Sequence, residues 1–344
     1  MEQAKPSMEY KPKQVNIFCN VWGYIQASKL AGRIIRTEEF ERLKYIRQLG
    51  PSHNIFTCAE SSRFTHSIGV MHLSRMVASR LRKYHPELVS ERFIEIIGIA
   101  GLVHDIGHGP LSHTFDYVVK DSPSPMKHHE TRSKFIFMEM YEKYKLELTM
   151  DEIEFICDAI DPKKDQKDKW QYQILSNCVD TDRIDYLLRD SISTGTAVGI
   201  NQREIERFIT KIRIKNDSLF FLNGGVATVN DILSSRKRMY EKVYLNRESV
   251  ILDEMYRKVF ELVKHIPEYN FVNIIENDPN RFLELDDYIV RKIHRNPMVP
   301  KEAKQILLDI IQGNYYEHFY VDRKFHQPEV TFITDSDGTF LKVN

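Results

Sequence analysis

An imidazole and a carboxylate stand side by side at His104-Asp105, at the end of an apolar stretch. Eight of the 13 histidines (His66, His72, His85, His104, His108, His113, His128 and His129) fall between residues 66 and 129. Burying such a pair without a partner costs free energy. A divalent cation offsets that cost, and mixed imidazole and carboxylate ligation suits Fe, Mn, Zn or Co better than a thiolate-seeking ion. Alone, an H-D dipeptide is more often a dipole-stabilised helix end. The run H-D-I-G-H-G-P-L-S-H-T-F-D (104–116) reverses that reading. It adds His108, His113 and Asp116, and its glycine and proline breakers let backbone come close to a ligand. Further ligands are offered by R-F-T-H (63–66) and by D-T-D-R-I-D-Y-L-L-R-D (180–190). In the second of these Asp182, Tyr186 and Asp190 share one helix face, with Arg183 and Arg189 on either side. A solvated face of alternating charge is an equal reading of that motif taken alone.

These residues need helices to position them. Phe40, Leu43, Ile46 and Leu49 recur every three residues and predict a helix over 38–49, ended by Gly50-Pro51. A second helix is expected from Arg63 to Tyr84, with His66 in its first turn, and a third from Glu91 to Val103, with His104 and Asp105 closing it at the G-H-G-P breaker. Further helices are expected over 130–145, 151–160, 171–190, 226–264, 281–295 and 301–312, with a charged loop at 161–169. Residues 211–222 read as a hairpin turning at Asn216-Asp217, and a last hairpin turns at Asp337-Gly338. The fold class is mainly α with small β-hairpins. We expect a polar tail over 1–14, one domain over 15–325 (metal core about 38–190, C-terminal helical part about 226–320) and a terminal hairpin or tail over 326–344.

Composition narrows the class. Lys plus Arg equal Asp plus Glu at 49 each, so no net charge draws the molecule to nucleic acid or an anionic membrane, and neither is expected as a partner. No stretch is apolar for the roughly 18 residues that a membrane span requires. Cys19, Cys58, Cys157 and Cys178 form no C-x-x-C pair, which points to a reducing, intracellular and cytoplasmic setting.

Together, R-F-T-H, H-D-I-G-H-G-P-L-S-H, H-H-E and D-T-D-R-I-D-Y-L-L-R-D closely resemble the HD-domain superfamily of metal-dependent phosphohydrolases. Within it the chain is similar to the deoxynucleoside triphosphate triphosphohydrolases, nearest to the vertebrate enzymes that couple a sterile alpha motif to an HD domain. The similarity runs from about Gly23 to about Tyr320. It implies the HD helical fold, and it implies that His66, His104, Asp105 and Asp182 bind a divalent transition metal (Fe, Mn, Zn or Co), with Mg2+ on the substrate phosphates. A dNTP would be hydrolysed at its α-phosphate, releasing intact triphosphate and deoxynucleoside. His113 would protonate the leaving 5′ oxygen, His129 oriented by Asp116 and His108 would assist, and His128 would be a bystander. Arg63, Arg183, Tyr186 and Arg236 match the phosphate clamp, Arg183 replacing a lysine. Gln48, Leu49, Asp190 and Tyr244 match the sugar contacts, and Asn246 and Arg247 match polar positions of the family.

The regulation departs from the family. A guanine-reading aspartate aligns with Arg36, its neighbouring arginine with Lys44 and a phosphate-binding lysine with Val15, while basic residues near Leu222 and Gly224 are replaced by neutral ones. The sequence runs only a little past Tyr320, so the family's long C-terminal lobe is not expected. Activity without GTP, or with another activator, is therefore expected, and a homo-oligomer such as a dimer would not be the vertebrate tetramer. Two alternatives remain at this level. One is another HD phosphohydrolase acting on a monophosphate, alarmone or cyclic dinucleotide. The other is a nucleotide- or nucleic-acid-binding protein with a vestigial site.

Overall fold

Two short antiparallel strands, β1 (Asn16–Cys19) and β2 (Gly23–Gln26), open the described chain, at a position where periodicity marked no element. The computed structural model describes residues 15–316, 330–334, 336 and 338–343; the expected tail over 1–14 and the turn residue Asp337 lie outside them. Ser28 caps α1 (Lys29–Ile35) and Thr37 caps α2 (Glu38–Glu41). The helix expected over 38–49 stops early: a 3-10 turn covers Arg42–Tyr45, and Ile46 is extended. Tertiary contacts override periodicity here, because the buried Arg42 guanidinium donates to the carbonyls of Leu285, Ile106 and His108. Beyond it, Arg47 forms a β-bridge with Ser62.

The next two helices match their expected spans. Ser62 caps α3 (Arg63–Tyr84) and Ser90 caps α4 (Glu91–Val103). Every residue from Ile96 to Val103 is buried, so α4 is the central helix of the core. It lies so close to α3 that a Cβ on Gly101 would come within 3.2 Å of the Val70 backbone. Each fully buried Ile, Leu or Val contributes about 1.5–3 kcal/mol.

α5 (His113–Val119), α6 (His129–Tyr144) and α7 (Met150–Ile160) follow, the last opened by a Thr149–Glu152 capping box. The expected helix over 171–190 is two elements, α8 (Trp170–Gln173) and α9 (Thr181–Thr194). It breaks because Asp180, in an extended conformation, caps α9 by accepting Arg183 N–H. α10 (Gln202–Ile209) leads to β3 (Ile212–Lys215) and β4 (Ser218–Leu222), joined as expected by Asn216 and Asp217 at φ +52° and +57°.

The helix expected over 226–264 is α11 (Val226–Met239), a π-helical turn at Tyr240–Tyr244, and α12 (Arg247–Val263) capped by Asn246. Such turns recur at functional sites. After α13 (Phe271–Asn277), the helix expected over 281–295 is also divided, into α14 (Pro279–Leu283) and α15 (Ile289–Arg295), with buried Asp287 in the break. α16 (Lys301–Gln312) matches its expected span. β5 (Val330–Thr334) and β6 (Gly338–Val343) form the last hairpin, and β6 also pairs with β4, giving the order β3-β4-β6-β5. Among the described residues no helix is long and apolar enough to cross a membrane.

Candidate functional site

Three helix ends converge on one buried point. His66 comes from the first turn of α3, His104 caps the end of α4 with Asp105 in the turn just beyond it, and Asp182 lies in the first turn of α9. His66 Nε2 is 3.0 Å from Asp182 Oδ1 and 3.6 Å from Asp105 Oδ2; His104 Nε2 is 3.3 Å from Asp105 Oδ1 and 3.6 Å from Asp182 Oδ1. Each imidazole has its other nitrogen occupied, His66 Nδ1 against Asp185 (2.8 Å) and His104 Nδ1 against the Gly101 carbonyl (2.9 Å). Both Nε2 atoms are buried and make no well-formed hydrogen bond. Two imidazole lone pairs facing two carboxylates are a donor set that fits a divalent cation.

The electrostatics agree with the geometry. Burial alone would lower the His66 pKa, yet Asp182, Asp185 and Asp105 raise it to about 10, a demand for positive charge that a cation satisfies. Burial would raise the Asp105 carboxyl, but Arg63, His104 and His108 hold it well below its ordinary range. His104 and His66 do the same for Asp182.

Asp185 was missed from sequence. It lies one helical turn from Asp182 on α9, is fully buried, and accepts four donors. These are His66 Nδ1, Trp22 Nε1 (2.6 Å), Arg189 Nε (2.8 Å) and Arg189 Nη2 (2.9 Å). Arg189 therefore turns inward to Asp185 rather than flanking the face of Asp182, Tyr186 and Asp190. A Cβ on Gly69 would fall 1.9 Å from Asp185 Oδ1, so only glycine lets α3 and α9 meet here. The available signal was the spacing Asp182-x-x-Asp185 followed by Arg189 one turn later.

Beside this cluster the remaining histidines form a second group. The rings of His108 and His129 stack at 4.0 Å, and His113 meets them edge-on at 5.0 and 5.6 Å. Asp116 Oδ2 is 3.0 Å from His129 Nδ1 and 3.5 Å from His113 Nδ1, while its Oδ1 accepts Arg132 Nη2. Burial would raise the Asp116 pKa, but its bonds to His113 and His129 hold it far below the carboxylate range. Burial, then the charges of Arg63 and His129, push the His108 pKa well down, so that ring stays neutral. His113 is largely exposed, and His128 is exposed.

A cavity of about 400 Å3 opens next to His113 and Asp116. Its walls bring together Gln48, Leu49, Arg63, Tyr186, Asp190 and Tyr244. Arg63 joins it to the histidine–aspartate cluster, since its Nη1 reaches Asp105 Oδ2 and its Nε reaches Ser112 Oγ. Tyr244 donates to Asp190 Oδ2 at 2.8 Å. Burial raises the Asp190 pKa to about 6. Gln48 Oε1 and Asp190 Oδ1 are buried acceptors without a donor.

Arg183 and Arg236 are not brought into the cavity wall: Arg183 turns to Asp180 and Arg236 lies over the Tyr240 ring. Both stand near Tyr186, where their charge partly offsets the strong upward push that burial exerts on its pKa. Tyr240, missed from sequence, lines the cavity because of the π-helical turn, as do Thr114 and Asp253, which hydrogen-bond to each other.

Residues 63–190 match the HD domain and residues 204–311 match the HD associated region. The chain is 34% identical to the putative HD domain-containing protein L394 of Acanthamoeba polyphaga mimivirus, over 93% of this chain and 74% of that protein. It is 30% identical to the deoxynucleoside triphosphate triphosphohydrolase SAMHD1 homolog of Dictyostelium discoideum, over 86% of this chain, and 28% identical to deoxynucleoside triphosphate triphosphohydrolase SAMHD1 of Homo sapiens, over 87%. It spans 58% and 54% of those two proteins. The cluster of His66, His104, Asp105 and Asp182 lies wholly inside the matched HD segment, and the chain belongs to the HD-domain family.

Proposed function

We propose that this protein hydrolyses deoxynucleoside triphosphates to deoxynucleoside and triphosphate, without activation by GTP. The observation that carries this reading is the pairing of the histidine–aspartate cluster with an adjoining cavity that holds two buried, donor-less acceptors, Gln48 Oε1 and Asp190 Oδ1. A sugar hydroxyl is a donor of the kind these atoms lack. The names of the amoebal and human relatives favour a dNTP over other phosphoesters.

His66, His104, Asp105 and Asp182 would hold a divalent cation (Fe, Mn, Zn or Co), and its charge, when bound, would lower the pKa of water and polarise phosphorus. Arg63 lies between that cluster and the cavity, placed to bind phosphate oxygens while keeping Asp105 ionised. Arg183, Arg236 and Tyr186 would hold the rest of the triphosphate, with Mg2+ accompanying it. As water oxygen bonds to the α-phosphorus, the bond to the 5′ oxygen breaks and that oxygen takes a proton. His113, beside Asp116 and open to the cavity, is placed to give it. His129 and Asp116 hold the relay in register, and neutral His108 stacks beneath it. Leu49 and Tyr244 would pack on the sugar where a 2′-hydroxyl would lie.

Arg36, Lys44 and Val15 replace residues used for guanine nucleotide in similar proteins, so the rate is expected to be flat in GTP. Incubating metal-loaded protein with each dNTP should yield triphosphate and deoxynucleoside. Orthophosphate or a monophosphate as the product would exclude this reaction.

A further inference from the structure

The sugar-contacting residues and the proton donor stand on two separate loops, Arg47–Leu49 and Leu111–His113. Asp287, in the break between α14 and α15, reaches both. Its Oδ1 accepts Leu111 N–H at 2.7 Å and its Oδ2 accepts Arg47 N–H at 3.0 Å. Its own N–H donates to the Tyr45 carbonyl at 3.1 Å. The side chain is 5% exposed, so these bonds are made away from water.

The Leu111–His113 loop needs an external hold. Leu111 and Ser112 adopt φ of +58° and +57°, a region where a non-glycine residue costs about 1–3 kcal/mol and persists only if its surroundings impose it. The loops also touch: Ser112 Oγ donates to the Arg47 carbonyl at 2.6 Å, and a Cβ on Gly50 would fall 2.6 Å from the Leu111 carbonyl. A carboxylate carries two acceptor oxygens on one rigid fork, and so can receive backbone N–H groups from two segments at once. Gln48 and Leu49 directly follow one of those amides, and His113 follows the other by two residues.

We infer that Asp287 is a positioning residue that sets the distance between the sugar-contacting loop and the loop carrying His113, and thereby the discrimination against a 2′-hydroxyl. This rests on the nucleotide reading of the cavity. Asp287 lies outside the HD domain match and inside the HD associated region, and contributes to the site without itself touching substrate.

The test compares wild type, Asp287→Ala and Asp287→Asn for kcat, KM and the ratio of deoxy- to ribonucleotide hydrolysis, with bound metal measured on each preparation. Asp287→Ala should lose about 100-fold in kcat, because misplacing a reacting group by an ångström has that effect. Its deoxy/ribo ratio should fall about tenfold, as a slackened steric wall allows. Metal content should be unchanged, and Asp287→Asn, which keeps one acceptor, should fall between. A folded, metal-loaded Asp287→Ala with wild-type ratio and kcat overturns the proposal.

Amide hydrogen exchange on the wild-type chain tests the latch without any variant. Protection at both Arg47 and Leu111 supports it, and free exchange at either overturns it. If wild type releases no triphosphate from any dNTP, the nucleotide reading fails, and the exchange result still judges the latch.

Discussion

The histidine–aspartate cluster and the proposed sugar wall lie side by side but are held by opposite means. His66, His104 and Asp182 come from the ends of packed helices, and behind His66 the carboxylate of Asp185 is saturated by Trp22, Arg189 and His66 itself. The proposed sugar wall comes from loops and a π-helical turn, contains two non-glycine residues at positive φ, and leaves Gln48 Oε1 and Asp190 Oδ1 without donors. Packing secures the group that must not move. In the proposed function, discrimination would fall to a wall whose spacing depends on a few distant hydrogen bonds, where a change of one ångström would alter selectivity before it alters the fold.

The most damaging way to break this contrast is at the cluster. His104→Ala, or chelation of wild type, should bring bound metal to background and cut hydrolysis by about 1,000-fold or more, because a cation's stabilisation of the transition state is worth several kcal/mol. Metal analysis and product assay read this together, and re-adding metal should rescue the chelated wild type but not the variant. Next, His113→Ala should lower kcat by about 100- to 10,000-fold at unchanged metal content. A parallel fall in metal would merge the two regions into one.

In the sugar wall, burial raises the Asp190 pKa to about 6. A carboxyl so raised adds stability that is fully present below its unfolded pKa near 4 and is lost as pH rises through about 6. Asp190→Asn should therefore be more stable than wild type at pH 7, by an amount on the order of 3 kcal/mol, with the gap narrowing as pH falls from about 6 and closed below about 4. Chemical denaturation across that range measures it, and a pH-independent difference would refute the assignment. The smallest effect is expected at Trp22→Phe, which removes one donor from Asp185 and should weaken metal affinity about tenfold in a chelator competition. Equal affinity would show that the cluster needs no support from β1 and β2.

Much of the cluster was legible because its ligands fall within short motifs whose local helices also carry clear boundary signals. Ser62 and Ser90 cap α3 and α4, and the G-H-G-P run stops α4 at His104. The supporting contacts were not legible, because they join distant segments: Trp22 to Asp185 across 163 residues, Leu111 to Asp287 across 176, and Arg47 to Asp287 across 240. The helix breaks were hidden for the same reason. Periodicity runs through 38–49, 226–264 and 281–295, and only the burial of Arg42, the placement of Tyr240 and Tyr244, and the buried Asp287 interrupt it.

Residue type and spacing by themselves determined a mainly helical chain with a histidine–aspartate site, since capping, periodicity and ligand chemistry act over a few residues. Tertiary structure alone decided which face of α9 turns inward and which loops meet across the cavity. Asp182 and Asp185 are chemically identical and three residues apart, and only packing against α3 and Trp22 makes one a candidate ligand and the other its support.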